Sequence, residues 1–75
     1  AQSSNGGDLS WKADRDGTVY LWDNTSNVLI ETFNMKKNQR LSVSPKNDLA
    51  TLDGKTVMRG KGISKRANYR LLFDK

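Results

Sequence analysis

Apolar residues along the chain occur in short runs that are separated by turn-forming residues. The plainest case is segment 16–33, DGTVYLWDNTSNVLIETF, in which two apolar runs flank the polar cluster at 23–27. Such a pattern is typical of two β-strands joined by a tight connection. Segment 40–44 shows strict alternation, with Leu41 and Val43 on one face and polar residues on the other. The pattern therefore predicts that these segments form β-strands.

The same pattern recurs along the chain. We predict strands at residues 9–12, 18–22, 28–33, 40–44, 49–52, 56–58 and 69–73. The pair Asp53-Gly54 predicts a second tight hairpin. A helix over residues 64–72 is the alternative for the last segment, although its aromatic residues and leucines favour a strand. Six to seven short strands predict an all-β fold, a small antiparallel sandwich or barrel.

The length of 75 residues suits a single domain. Residues 1–8 are small and polar with two glycines, and we expect a disordered tail there, followed by one β domain over residues 9–75. No apolar run reaches the roughly 18 residues that span a bilayer. The chain begins with Ala1-Gln2-Ser3, as a chain left by signal-peptide cleavage does. We expect a secreted or periplasmic protein, with the cytoplasm as the alternative.

Part of the chain resembles a known repeat. Segment 16–33 is similar to the last two strands of a WD-type β-propeller repeat, with Trp22-Asp23 at the WD position. Segment 44–51, SPKNDLAT, resembles the start of such a blade. The resemblance implies a β-propeller blade. The chain has no His for the Gly-His pair of the repeat, and a second Trp-Asp does not recur at the repeat period.

Residues suited to catalysis or metal binding are scarce. The chain contains no His and no Cys, which removes the commonest general base and the best nucleophile. Segment 13–17 contains Asp-x-Asp-Gly, a fragment of a calcium loop, but the residues that follow include the apolar Val19 and Leu21, so we expect a turn. We expect no enzyme activity, no cofactor and no metal site.

Charge is distributed unevenly along the chain. Residues 1–35 carry two basic and five acidic side chains, whereas residues 36–75 carry eleven basic and three acidic ones. Such a basic half suits an anionic partner. Tyr69 stands beside this basic segment but alternates with Leu71 and Phe73, so we expect it in the core. The candidate residues for binding nucleic acid or another polyanion are Arg59, Lys61, Lys65, Arg66 and Arg70.

The hairpin at 16–33 is apolar on both faces, because Tyr20 and Trp22 alternate with the apolar Val19 and Leu21. Either loops and the strand that carries Trp11 cover the second face, or that face is a docking surface. The candidate interaction residues are Trp11, Tyr20 and Trp22. We expect a non-catalytic module for protein interaction or assembly, with a protein partner or self-association; the alternative is a binder of nucleic acid or another polyanion.

Overall fold

The computed structural model describes residues 2–4, 7–65 and 68–73. These residues form eight β-strands and one 3-10 turn, Ile63–Lys65, and they contain no α-helix. The strands are β1 Gln2–Ser4, β2 Leu9–Lys12, β3 Gly17–Asp23, β4 Val28–Met35, β5 Arg40–Ser44, β6 Leu49–Leu52, β7 Lys55–Arg59 and β8 Tyr69–Phe73. The prediction of a small all-β domain is confirmed, and the last segment is a strand rather than a helix.

The strands form two four-stranded antiparallel sheets. Sheet A has the order β1-β8-β3-β4 and sheet B has the order β2-β5-β6-β7. The chain crosses between the sheets after β1, β2, β4 and β7. No helix in the described ranges is long and apolar enough to cross a membrane.

The space between the sheets holds one apolar core. Alternation along β3 buries Val19 and Leu21 completely, and alternation along β5 buries Leu41 and Val43 from the opposite sheet. Each such side chain contributes about 1.5–3 kcal/mol when it is fully buried. The other buried apolar residues are Leu9, Ala13, Phe33, Met35, Ala50, Met58, Ile63, Tyr69 and Leu71.

Residues 2–4 differ from the expectation of a disordered tail over residues 1–8, whereas residues 1, 5 and 6 lie outside the described part of the chain. Residues 2–4 form β1, which pairs with β8 so that Gln2 lies opposite Leu71. Strand pairing at a sheet edge uses main-chain N–H and C=O groups, which any sequence supplies. Small polar residues therefore give no apolar pattern from which this strand could be predicted.

Local turn chemistry explains why two of the hairpins form. Asp53 and Gly54 both have positive φ, 51° and 85°, which is the requirement of a two-residue type I′ turn. At the β3–β4 turn the buried Asp23 carboxylate accepts hydrogen bonds from the N–H groups of Thr25 (2.8 Å) and Ser26 (3.3 Å). Both turns fix the register of the strands that they join.

Candidate functional site

The outer face of sheet A carries two of the three aromatic residues proposed from the sequence. Tyr20 and Trp22 point away from the core because they alternate with the fully buried Val19 and Leu21. Both rings are partly exposed. The prediction that β3 is apolar on both faces is therefore confirmed.

Neighbouring strands extend this surface. Tyr20 lies opposite Leu72 of β8, and Trp22 lies opposite Leu29 of β4. Leu72 is 41% exposed and Leu29 is 42% exposed, although both are large apolar side chains. We call the surface formed by Tyr20, Trp22, Leu29 and Leu72 the apolar face.

A β-bulge shapes the apolar face. The register of β3 against β4 changes between Leu21, which pairs with Glu31, and Trp22, which pairs with Leu29. Ile30 is the extra residue and packs against the core. Because a bulge changes the direction of the following side chains, Leu29 comes to lie beside Trp22 on the outer face.

Arg70 holds the Trp22 end of the apolar face in place. Its guanidinium carbon lies 5.3 Å from the centroid of the Trp22 ring, within the range of a cation–π contact. Its two terminal nitrogens donate hydrogen bonds to Oδ1 of Asn24 (2.6 Å) and Oδ1 of Asn27 (2.9 Å). In the described part of the chain the buried Nε1 of Trp22 has no hydrogen-bond partner.

Trp11 does not belong to the apolar face. It lies on β2 opposite the buried Leu41, on the inner side of sheet B. Its ring packs edge-on against Phe73 with 4.7 Å between centroids, and the Arg15 guanidinium carbon lies 4.5 Å from the Phe73 centroid. The structure thus separates Trp11 from Tyr20 and Trp22 and places it at the margin of the core.

The basic residues proposed to bind a polyanion are not all brought together. Arg59, Lys61 and Lys65 are exposed on β7 and on the loop that follows it, and Arg66 lies outside the described residues. The ammonium group of Lys61 lies 3.7 Å from the carboxylate of Glu31. Arg70 is on the outer face of sheet A, where Trp22 and two asparagines engage its guanidinium.

Hydrogen bonds to Asp48 fix the position of the β7–β8 loop. The Asp48 carboxylate accepts hydrogen bonds from the N–H groups of Gly62 and Ile63, each 3.0 Å, and its carbonyl accepts one from Gly60 (3.0 Å). The Tyr69 hydroxyl donates to the Ile63 carbonyl, and Tyr69 is fully buried. The prediction that Tyr69 faces the core is confirmed, so it is not available to stack on a nucleic acid base.

A polar concavity lies on the other side of the molecule, on sheet B. Its volume is about 390 Å³, and we call it the cationic groove. Its lining residues are Lys12, Asn38, Arg40, Ser42, Asp53 and Gly54. Sequence reasoning did not single out these residues. Alternation in 9–12 and 40–44 places Lys12 and Arg40 on the polar side of their strands, but the pairing of β2 with β5 has no local sequence signal.

No cluster of three His, Cys, Asp or Glu side chains suited to a metal ion occurs in residues 2–4, 7–65 and 68–73. No family model, curated protein or solved structure matches the chain. The similarity of segment 16–33 to a WD-type repeat therefore stays a prediction.

Proposed function

We propose that the protein is a non-catalytic assembly module in which two copies pair through their apolar faces. The observation that carries this proposal is the adjacency of Tyr20, Trp22, Leu29 and Leu72 on one outer sheet face. Contiguous exposed apolar side chains of this kind are characteristic of protein interfaces. Aromatic anchors such as Trp22 and Tyr20 commonly supply much of the binding free energy.

The distribution of charge favours a second copy as the partner. The strands of sheet A contain only three charged residues, Asp23, Glu31 and Arg70, whereas every charged residue in the strands of sheet B is basic. Pairing through sheet A places the two basic sheets on opposite outer sides of the dimer. Each copy carries a net charge of +5. Repulsion between the two copies is then weaker than in a dimer that pairs through sheet B, because distance and salt both screen it.

The broad side of the molecule, of which the apolar face is a part, is close in size to a standard interface. The molecule measures 30 × 23 × 16 Å, and the product of the two longer extents is roughly 700 Å². A stable interface of standard size buries about 800 Å² per partner. A small domain without disulfides gains stability from such burial, because its own core supplies little surplus.

Sedimentation equilibrium tests the proposal directly. We expect wild-type protein to dimerise with a dissociation constant on the order of micromolar. Leu72→Asp should raise that constant at least tenfold, since burial of an unpaired carboxylate is unfavourable, and its thermal melt should show a folded monomer. Val57→Asp is the matched control, because Val57 is 40% exposed but lies on β7 of sheet B.

Trp22→Ser provides a second variant. We expect it to weaken association by at least ~2 kcal/mol while the monomer stays folded. Wild-type protein that remains monomeric at millimolar concentration would refute the proposal. Equal dissociation of the dimer by Val57→Asp would refute the assignment to the apolar face. A monomeric wild type whose Trp22→Ser form is unfolded would show that Trp22 serves the core.

A further inference from the structure

The cationic groove is large enough to hold a small ligand. Its volume of about 390 Å³ falls within the range of roughly 300–1,000 Å³ typical of such sites. It lies on sheet B, so pairing through the apolar face of sheet A leaves it accessible. Asp53 and Gly54, at the tip of the β6–β7 hairpin, form one wall, and Asn38, from the β4–β5 turn, forms another.

Two basic residues lie side by side in the groove. Lys12 of β2 is directly opposite Arg40 of β5, and both point outward because their neighbours Trp11 and Leu41 face inward. Like charges directly opposite each other in a sheet repel. Within the described residues neither side chain forms an ion pair with a carboxylate. An anion that contacts both would relieve this repulsion.

The Arg40 guanidinium is already oriented by the protein. One terminal nitrogen donates a hydrogen bond to the Ser10 hydroxyl, with 2.9 Å between nitrogen and oxygen. A guanidinium has five N–H donors in a fixed plane, which suits the oxygens of a phosphate or sulfate group. The Ser42 hydroxyl lies on the same outer face of β5 and adds a further donor.

Asp53 makes the groove selective. Its backbone N–H donates to the Arg40 carbonyl (2.9 Å), and its Oδ1 accepts from the Arg40 N–H (3.0 Å), so its position is fixed. The carboxylate lowers the attraction for a bare anion but can accept hydrogen bonds from hydroxyl groups. Among the described residues no aromatic side chain lines the groove, so the stacking platform that single-stranded nucleic acids use is not found there.

We propose that the cationic groove binds a saccharide that carries a phosphate or sulfate group. Lys12 and Arg40 hold the oxyanion, and Asp53 and Asn38 bind sugar hydroxyls. This site is distinct from the polyanion site expected from the sequence at Arg59 and the residues that follow it.

Titration followed by amide NMR tests this assignment. The probes are glucose 6-phosphate, glucose 6-sulfate, inorganic phosphate and glucose, at constant ionic strength. We expect saturable binding of the two charged sugars, with shifts at the amides of Lys12, Asn38, Arg40 and Gly54. Inorganic phosphate should bind several-fold more weakly, and glucose should not bind. Comparison of phosphate with sulfate shows which oxyanion is preferred.

Three substitutions localise the site. Lys12→Gln should weaken binding of the preferred sugar at least about tenfold, since it removes one of two charged contacts. Asp53→Asn keeps the acceptor for the Arg40 N–H, so it should tighten binding of inorganic phosphate and reduce the preference for the sugar. Lys46→Gln, in the exposed β5–β6 turn, is the control and should leave binding unchanged.

Several results would overturn the proposal. Shifts that rise linearly with concentration for every probe would show that no site exists. Binding that survives Lys12→Gln but is lost on Lys61→Gln would place the site on the β7–β8 loop. Tighter binding of a single-stranded oligonucleotide than of either charged sugar would exclude a saccharide ligand. The Leu72→Asp variant should bind the sugars with the same affinity as wild-type protein, because Leu72 lies on sheet A and the groove on sheet B. Sugar binding therefore tests the groove independently of the dimer.

Discussion

Asp48 should contribute strongly to the stability of the fold, because its carboxylate connects the β5–β6 turn to the β7–β8 loop. Its carboxylate accepts the N–H groups of Gly62 and Ile63 and thereby positions Ile63, which is fully buried. Asp48 itself has a φ of 54°, a conformation that Asp, Asn and Gly adopt more easily than Ala.

The expected loss of stability follows from these contacts. A hydrogen bond to a charged group contributes about 1.5–3 kcal/mol, and the lower value applies to a partly exposed carboxylate, so the two bonds give about 3 kcal/mol. Asp48→Gly should therefore cost about 3 kcal/mol, and Asp48→Ala should cost about 1 kcal/mol more because of its positive φ. Asp48→Asn, which keeps one acceptor, should cost about 2 kcal/mol.

Urea denaturation followed by tryptophan fluorescence measures these differences. The measurements belong in the Leu72→Asp background, where association does not contribute to stability. A domain of 75 residues has roughly 4–11 kcal/mol of stability. The loss expected for Asp48→Ala equals the lower end of this range, so Asp48→Asn is the variant whose stability can be measured more reliably. Lys46→Ala, in the same turn, should be neutral. An Asp48→Gly variant within about 0.5 kcal/mol of its parent would refute the reasoning.

Two further predictions concern hairpins. Gly54→Ala should lower the free energy of unfolding, measured by urea denaturation, by about 1 kcal/mol, because φ is 85°. Among the described residues, no atom outside the two chain neighbours lies within 4 Å of the added methyl group. A loss above about 3 kcal/mol would indicate a steric clash instead. Arg70→Gln removes the hydrogen bonds to Asn24 and Asn27, so amide hydrogen exchange across residues 24–27 should accelerate about tenfold. Exchange rates equal to those of wild type would show that Arg70 does not restrain the turn.

Local sequence patterns predicted most of the strands. Residues 40–44 and 69–73 are strands with the predicted bounds, and β3 and β4 extend slightly beyond the predicted 18–22 and 28–33. These strands could be predicted from the sequence because alternation and turn chemistry act over a few residues. β1 could not be predicted from the sequence, since an edge strand of small polar residues pairs through its main chain alone.

The candidate sites were less predictable because they depend on which strands become neighbours. Trp22 was singled out from its own strand, but its contact with Leu29 requires the bulge in β4, and its contact with Arg70 requires the pairing of β3 with β8. Likewise, Lys12 and Arg40 form one site only because β2 pairs with β5. Pairing between strands far apart in the sequence is set by the packing of the whole domain.

The strand order of sheet A has a consequence for synthesis on the ribosome. β8 is an inner strand between β1 and β3, although it follows all the other strands along the chain. Until residues 69–73 have emerged, one edge of β3 has no partner, and neither Tyr69 nor Leu71 can fill the core. The hairpins can form early, but the sandwich cannot close, because loop closure over most of the chain must come first. We therefore expect the nascent domain to remain accessible to chaperones until residues 69–73 have emerged.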